Sequence, residues 1–147
     1  MTLQEILRVK GTAVHSILPD ATLEEVVLKL VKNNCGSLVV CETVEDCHAR
    51  RLLGIITERD ILRACAAHPG KLRELKVSDV MTRDVITATP SDSVADTMGL
   101  MTKHRIRHLP IVEHERLEGI ISIGDVVKAQ HDQLTMENHY LKSYIHG

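Results

Sequence analysis

The sequence predicts a mixed α/β (α+β) fold: two tandem β-α-β-β-α units that pack together, followed by a C-terminal helix. Three observations predict it. A phrase recurs, GIITERD from Gly54 and GIISIGD from Gly119. In both places the same succession precedes it, an amphipathic stretch and then a short apolar run. Each unit spans only about sixty residues, too few to bury its own apolar faces, so the two must share a core.

The elements follow in order when Pro19 is laid over Pro90. LPDATLEEVVLKLVKNNCGSLVV then lies over TPSDSVADTMGLMTKHRIRHLPIV. Leu23, Val26, Val27, Leu30 and Val31 share one face of a helix, and Val94, Met98 and Met101 repeat that stripe more thinly. Thr22 with Glu25, and Ser93 with Asp96, have the spacing of a capping box, and the prolines stand just upstream where a strand or loop must end. SLVVC and HLPIV have strand length, as do LLGIIT and LEGIIS after them. The intervening loop is long and charged in the first copy, ETVEDCHARR, and tight in the second, EHER. The closing helices start at the aspartates of the phrase, RDILRACAA and GDVVKAQ. Pro69–Gly70 ends the first of them, and HPGKLRELKVSDVMTRD leads into the second copy. The chain therefore divides into repeat 1 at 8–68, a linker at 69–76, repeat 2 at 77–130 and a helical tail at 131–147. The tail is expected to dock on its own chain or on a partner, with Tyr140 and Tyr144 on one face. Gly99 interrupts the helix of the second unit at a cost of about 1 kcal/mol relative to alanine. Close approach of another helix, from the first unit or a second chain, would explain it; a tolerated glycine is the alternative.

Composition removes several function classes. The 147 residues are 44% apolar and 26% charged, ordinary for a globular chain. Eighteen basic residues stand against 20 acidic ones, without the basic excess of a nucleic-acid binder. There is no Trp or Phe, and the tyrosines are Tyr140 and Tyr144. A bound base must therefore be gripped by aliphatic side chains and backbone groups. The charged N-terminus is unlike a signal peptide and no apolar run could span a bilayer, so a cytoplasmic protein without membrane insertion is expected. Cys35, Cys41, Cys47 and Cys65 form no C-x-x-C pair and are expected to be reduced, packed thiols. Nine histidines form no H-E-x-x-H, no serine lies in G-x-S-x-G, and no Walker loop is present. Neither catalytic residues nor metal ligands are expected, although His139 and His146 lie close to two helical turns apart.

The repeated phrase has two readings. In T-x-x-D and S-x-x-D the hydroxyl caps a helix and the acid completes a capping box, worth on the order of 1 kcal/mol. In context, a helix N-terminus after a strand also seats phosphate, and a nearby carboxylate can accept both hydroxyls of a ribose. Thr57 and Ser122 are then candidate phosphate ligands, and Asp60 and Asp125 candidate ribose ligands.

With these features the chain resembles the CBS-domain family, named for cystathionine β-synthase, arranged as the tandem pair called a Bateman module. KVSDVMTRDVITATP and HRIRHLPIV both resemble the second-repeat pattern, the register covers roughly residues 10–66 and 77–130, and the closing YIHG resembles small stand-alone bacterial members. The resemblance implies two pseudo-twofold-related repeats packed through their sheets, adenine-nucleotide clefts between them, and a homodimer. Carried over, one cleft takes Asp125 and Ser122 with Ser78, Arg83, Ile106, Arg107 and His108. The other takes Asp60 and Thr57 with Thr12, Cys35, Gly36 and Ser37, and Arg59 compensates there for missing cations. Arg107 and His108 make the Asp125 cleft the expected tighter or differently selective one. The implied function is non-catalytic regulation, with AMP, ADP, ATP or NAD(H) as ligand and a protein partner as reader; the loop around Glu45 and Arg50 and the C-terminal helix are candidate contact surfaces. A metal-responsive module, a purely structural one, or an enzyme are the alternatives.

Overall fold

The computed structural model describes residues 1–43 and 52–146. The capped helices form where the spacing predicts, with a full capping box at Thr22 and only its hydroxyl half at Ser93. Thr22 opens α2 (Leu23–Asn33), its hydroxyl accepting from the Glu25 N–H at 3.2 Å while the Glu25 carboxylate accepts from the Thr22 N–H at 3.0 Å. At the equivalent place Ser93 opens the later helix Val94–His104, accepting from the Asp96 N–H at 3.0 Å. Both helices end on a left-handed residue, Asn34 at φ 48° and Arg105 at φ 54°, which turns the chain back into a strand.

In the first unit β1 (Ser16–Ile17) pairs in parallel with β2 (Ser37–Cys41), which pairs antiparallel with β3 (Leu52–Thr57). β3 runs directly into α3 (Glu58–Ala67). After α4 (Val77–Val80) and α5 (Val94–His104), β4 (His108–Glu113) and β5 (Arg116–Ser122) form an antiparallel pair, and β5 runs directly into α6 (Ile123–His146). The opening strand expected in the second unit is reduced to one parallel bridge, Ala88 to Ile111. Pro110 explains this. It occupies the place of Val39, whose N–H donates to the His15 carbonyl at 3.1 Å, and a proline has no such donor.

β2 is buried on both faces, and its alternation divides between two clusters. Leu38 and Val40 point into a core with Val26, Leu30, Ile56 and Ile61. Val39 and Cys41 meet Leu117 of β5, with Leu52, Val112 and Ile120 around them. The two units thus pack through their sheets, as expected. A third cluster fills the second unit with Val94, Met101, Leu109, Ile111, Ile121 and Val126. In α2 the predicted stripe is narrower than expected, because Val31 is 76% exposed.

Each unit is completed by the helix that precedes the other. The N-terminal residues fold as α1 (Leu3–Lys10), whose buried Leu3, Ile6 and Leu7 belong to the core of the second unit. The Leu3 and Gln4 N–H groups donate to the carbonyls of Asp92 and Pro90. In the same way α4 serves the first unit: Val77 and Met81 enter its core, and the Val77 and Ser78 N–H groups donate to Ala21 and Pro19. The segment read as a linker also contributes, with Leu72 and Leu75 packed on the first core. No sequence signal gave this exchange, because a short helix with three apolar residues looks the same whichever unit it covers.

Three other expectations are narrowed or corrected. The tail is a continuation of the second closing helix, since nothing like Pro69–Gly70 interrupts it. Among the described residues nothing covers Tyr140 or Tyr144, which are exposed, so of the two expected docking surfaces a partner's remains. Among the described residues a β-carbon on Gly99 would meet nothing within 4 Å, which leaves a second chain or a tolerated glycine. Cys35 and Cys65 are free thiols, but Cys41 is disulfide-bonded. Cys47, Glu45 and Arg50 lie outside the described residues.

Candidate functional site

Because β3 and β5 pass straight into helices, each helix N-terminus opens where its strand leaves the sheet. The first amide of each is anchored to the turn ahead of the neighbouring strand: Glu58 N–H donates to the Gly36 carbonyl at 3.1 Å and Ile123 N–H to the Arg107 carbonyl at 2.8 Å. Both capping boxes form. The Asp60 Oδ2 accepts from the Thr57 N–H at 3.0 Å, and Thr57 Oγ1 accepts from the Asp60 N–H at 3.4 Å. Asp125 Oδ2 accepts from the Ser122 N–H at 2.8 Å, and Ser122 Oγ from the Asp125 N–H at 3.1 Å. The structural reading of the phrase is therefore true of both copies, and any ligand role is additional to it.

Around the two acids the surroundings differ. Asp60 is buried, and its second oxygen, Oδ1, accepts from Thr82 Oγ1 at 3.3 Å. It lies in a groove of about 490 Å³ between the units. Thr57, Arg59, Asp60 and Arg63 form one side, Thr82, Asp84, Val85 and Ile86 a second, and His104 through His108 the third. Arg59 Nη1 donates to the Arg105 carbonyl at 3.0 Å and fastens α3 to the end of α5. The groove thus joins a helix N-terminus, a buried carboxylate, several guanidinium groups and aliphatic walls from Val85, Ile86 and Ile106.

Asp125 is instead met by Lys10, whose Nζ lies 2.6 Å from its Oδ2. Burial opposes ionisation of Asp125, but the Lys10 ammonium and the Ser122 N–H and hydroxyl more than offset it, so its carboxyl is held below the usual range. His108 occupies the junction of the two units. Its Nε2 lies 2.9 Å from where a β-carbon on Gly36 would stand. Burial, chiefly, pushes its pKa down; Glu58 and Asp125 act the other way, while Lys10 and Arg107 add to the lowering.

The geometry groups the candidate residues differently from the expected partition. Ile106, Arg107 and His108, assigned to Asp125, line the Asp60 groove with Thr57 and Arg59. Ser78 and Arg83 bind each other, Arg83 Nη2 donating to the Ser78 carbonyl at 3.0 Å, and Ser78 is anchored on the first unit. Thr12 is on the opposite side from Asp60: its Cα lies 3.8 Å from where a β-carbon on Gly119 would be, beside the strand leading to Asp125. Cys35 packs on the first core, and Ser37 is buried opposite Thr57 in the sheet. The cause is the helix exchange. The chain after α4 pairs with β3, Ile55 and Thr82 trading N–H···O bonds of 3.0 and 2.9 Å, so it delivers Thr82, Val85 and Ile86 to Asp60. Arg107 and His108, on which the expectation for the Asp125 cleft rested, line the Asp60 groove, while His108 also feels the Asp125 charge.

Sequence reasoning missed Thr82, Val85, Ile86 and Lys10. The first three had a signal in Gly54, where a β-carbon would come within 2.6 Å of the Thr82 carbonyl oxygen. Glycine there admits the backbone that carries the groove's second wall. Lys10 had none, being 115 residues from its partner. Among the described residues, no three His, Cys, Asp or Glu side chains gather as a metal site requires, and no helix is long and apolar enough to cross a membrane.

Two repeats packed through their sheets, each opening a strand-to-helix junction toward the other, define a tandem domain pair. Residues 3–67 and 77–132 match the CBS domain, and the chain belongs to that family. It is 36% identical over 152 residues to the mitochondrial CBS domain-containing protein CBSX3 of Arabidopsis thaliana, a match covering 99% of this chain and 72% of that one. The crystal structure of the CBS-domain containing protein ATU1752 from Agrobacterium tumefaciens aligns with a TM-score of 0.81 at 37% identity, covering 88% of this chain and 99% of that chain. The CBS domain pair of protein MJ0100, in complex with 5′-methylthioadenosine and S-adenosyl-L-methionine, aligns with a TM-score of 0.74 at 25% identity, over 90% of this chain and 98% of that one.

Proposed function

We propose that the chain is a non-catalytic module that binds an adenine nucleotide (AMP, ADP, ATP or NAD(H)) in the Asp60 groove and signals to a protein partner. The observation that carries this reading is the position of Asp60. A buried carboxylate stands at the mouth of a helix, steadied by Thr57 and Thr82, with Arg59, Arg63, Arg105 and Arg107 around it. A ribose diol donates to the carboxylate, and the phosphates lie against the guanidinium groups and the helix N-terminus. The base rests on Val85, Ile86 and Ile106, in keeping with a chain that has so few aromatic residues. The adenosyl ligands of the MJ0100 pair support the same chemistry.

Because the groove is lined by both units, ligand favours whichever relative angle fits it best, and the shift equals its differential affinity for the two arrangements. Asp125, engaged by Lys10, is the weaker site. Isothermal titration with AMP, ATP and NAD tests the assignment. Asp60→Asn, which keeps the capping acceptor, should weaken binding about tenfold or more, while Asp125→Asn leaves the main isotherm in place. Unchanged affinity and stoichiometry in Asp60→Asn would refute the site. Multiple-turnover consumption of any of these nucleotides would refute the non-catalytic reading.

A further inference from the structure

We propose that the C-terminal half of α6 pairs with the same segment of a second copy of this chain as a parallel two-stranded coiled coil. α6 has 24 residues, so it is about 36 Å long. Only its first part packs on the second unit, through Val126 and Ala129. From Leu134 to Ile145 every residue is exposed. A free helical end of roughly three turns is marginal in water without tertiary contacts, so this segment calls for a partner.

The pattern of the exposed residues says which. Val127, Leu134 and Leu141 recur at heptad spacing, 51%, 51% and 60% exposed, and fill d positions. The matching a positions are His131, Asn138 and Ile145, the last 74% exposed. Leucine at d with a single asparagine at a central a position favours two strands in register, because the asparagine amides pair across the axis. The flanking charges choose the orientation. Glu137 at g and Lys142 at e meet between parallel strands, the g-to-e′ pairing of such coils. An antiparallel pair would set e against e′ and bring Lys142 toward Lys128. Lys128 and Lys142 are balanced by Asp132 and Glu137, so the segment lacks the basic face that suits an anionic membrane surface. His131 and Asn138 at a positions keep the coil weak, and the dimer should respond to concentration.

Sedimentation equilibrium of the full chain over a range of concentrations tests this. The native chain should show a monomer–dimer equilibrium. Leu134→Lys with Leu141→Lys should raise the dimer dissociation constant at least about 100-fold without changing the melting of the body. Glu137→Lys alone should weaken the dimer, and adding Lys142→Glu should restore it, a rescue that a misfolded variant could not give. Ile145→Cys should cross-link to itself under oxidation, as a parallel pair requires. A dimer indifferent to the leucine and charge changes, a chain monomeric at every concentration, or a monomer whose tail pellets with phosphatidylcholine vesicles would each overturn the proposal.

Discussion

Gly54→Ala probes how the groove is assembled. The new β-carbon would stand 2.6 Å from the Thr82 carbonyl oxygen and 3.1 Å from Met81 Sδ. The methionine can swing away; the carbonyl cannot, because it accepts from the Ile55 N–H at 3.0 Å in a two-bond bridge. Relief requires the segment after α4 to leave β3. Two backbone hydrogen bonds at about 1 kcal/mol each, together with the strain of overpacking, amount to a loss of about 2–4 kcal/mol. The equivalent change, Gly119→Ala, meets the Leu7 Cδ2 at 2.8 Å, the far end of a side chain that can rotate, and the Thr12 Cα at an ordinary 3.8 Å. It should cost less, about 1 kcal/mol. Urea denaturation of the two variants measures the difference. Gly54→Ala should also weaken nucleotide binding in the fraction that stays folded, because Thr82 moves away from Asp60. Equal stabilities for the two variants would refute the reasoning.

Three further outcomes are expected. Gly99→Ala should stabilise the protein by about 0.5–1 kcal/mol, seen as a rise in Tm of a few degrees, since the site is an open helix interior. The folded state keeps His108 neutral more readily than the unfolded chain does, chiefly through burial, so stability should fall as pH drops below its ordinary value of 6.5 and level off beneath its folded pKa. His108→Gln should flatten that slope, and a phosphate bound beside the ring should make nucleotide affinity rise over the same window. Asp125 titrates in the opposite sense: its depressed pKa contributes stability that is present above the usual carboxylate range and lost as pH falls through the folded value. Lys10→Met should shrink that acid limb while costing at most about 1 kcal/mol at neutral pH, because the pair is partly exposed. Acid titrations followed by circular dichroism check both.

The doubled β-α-β-β-α plan was legible because each signal is local. Caps, prolines and apolar runs lie within one element, and Thr22, Ser93 and the strands formed where their spacing placed them. The phrase also located the strand-to-helix junctions, which put Thr57 and Asp60 at the edge of the groove. What stayed hidden depends on which unit a connecting segment covers. α1 and α4 cross to the other repeat, and that crossing moved Thr82 to Asp60 and Lys10 to Asp125. It also brought Arg107 and His108 to the Asp60 groove. The shrunken opening strand of the second unit was foreshadowed by Pro110, a residue aligned with Val39 but without its N–H. The uninterrupted α6 was foreshadowed by the absence of a breaker after Lys128.

A crystal grown with AMP decides whether the groove is a nucleotide site. The nucleotide is expected in the groove between the units, its ribose hydroxyls on the Asp60 carboxylate and its phosphate among Arg59, Arg105 and Arg107. An empty groove at saturating nucleotide, with Asp60 still bonded only to Thr57 and Thr82, would contradict that assignment.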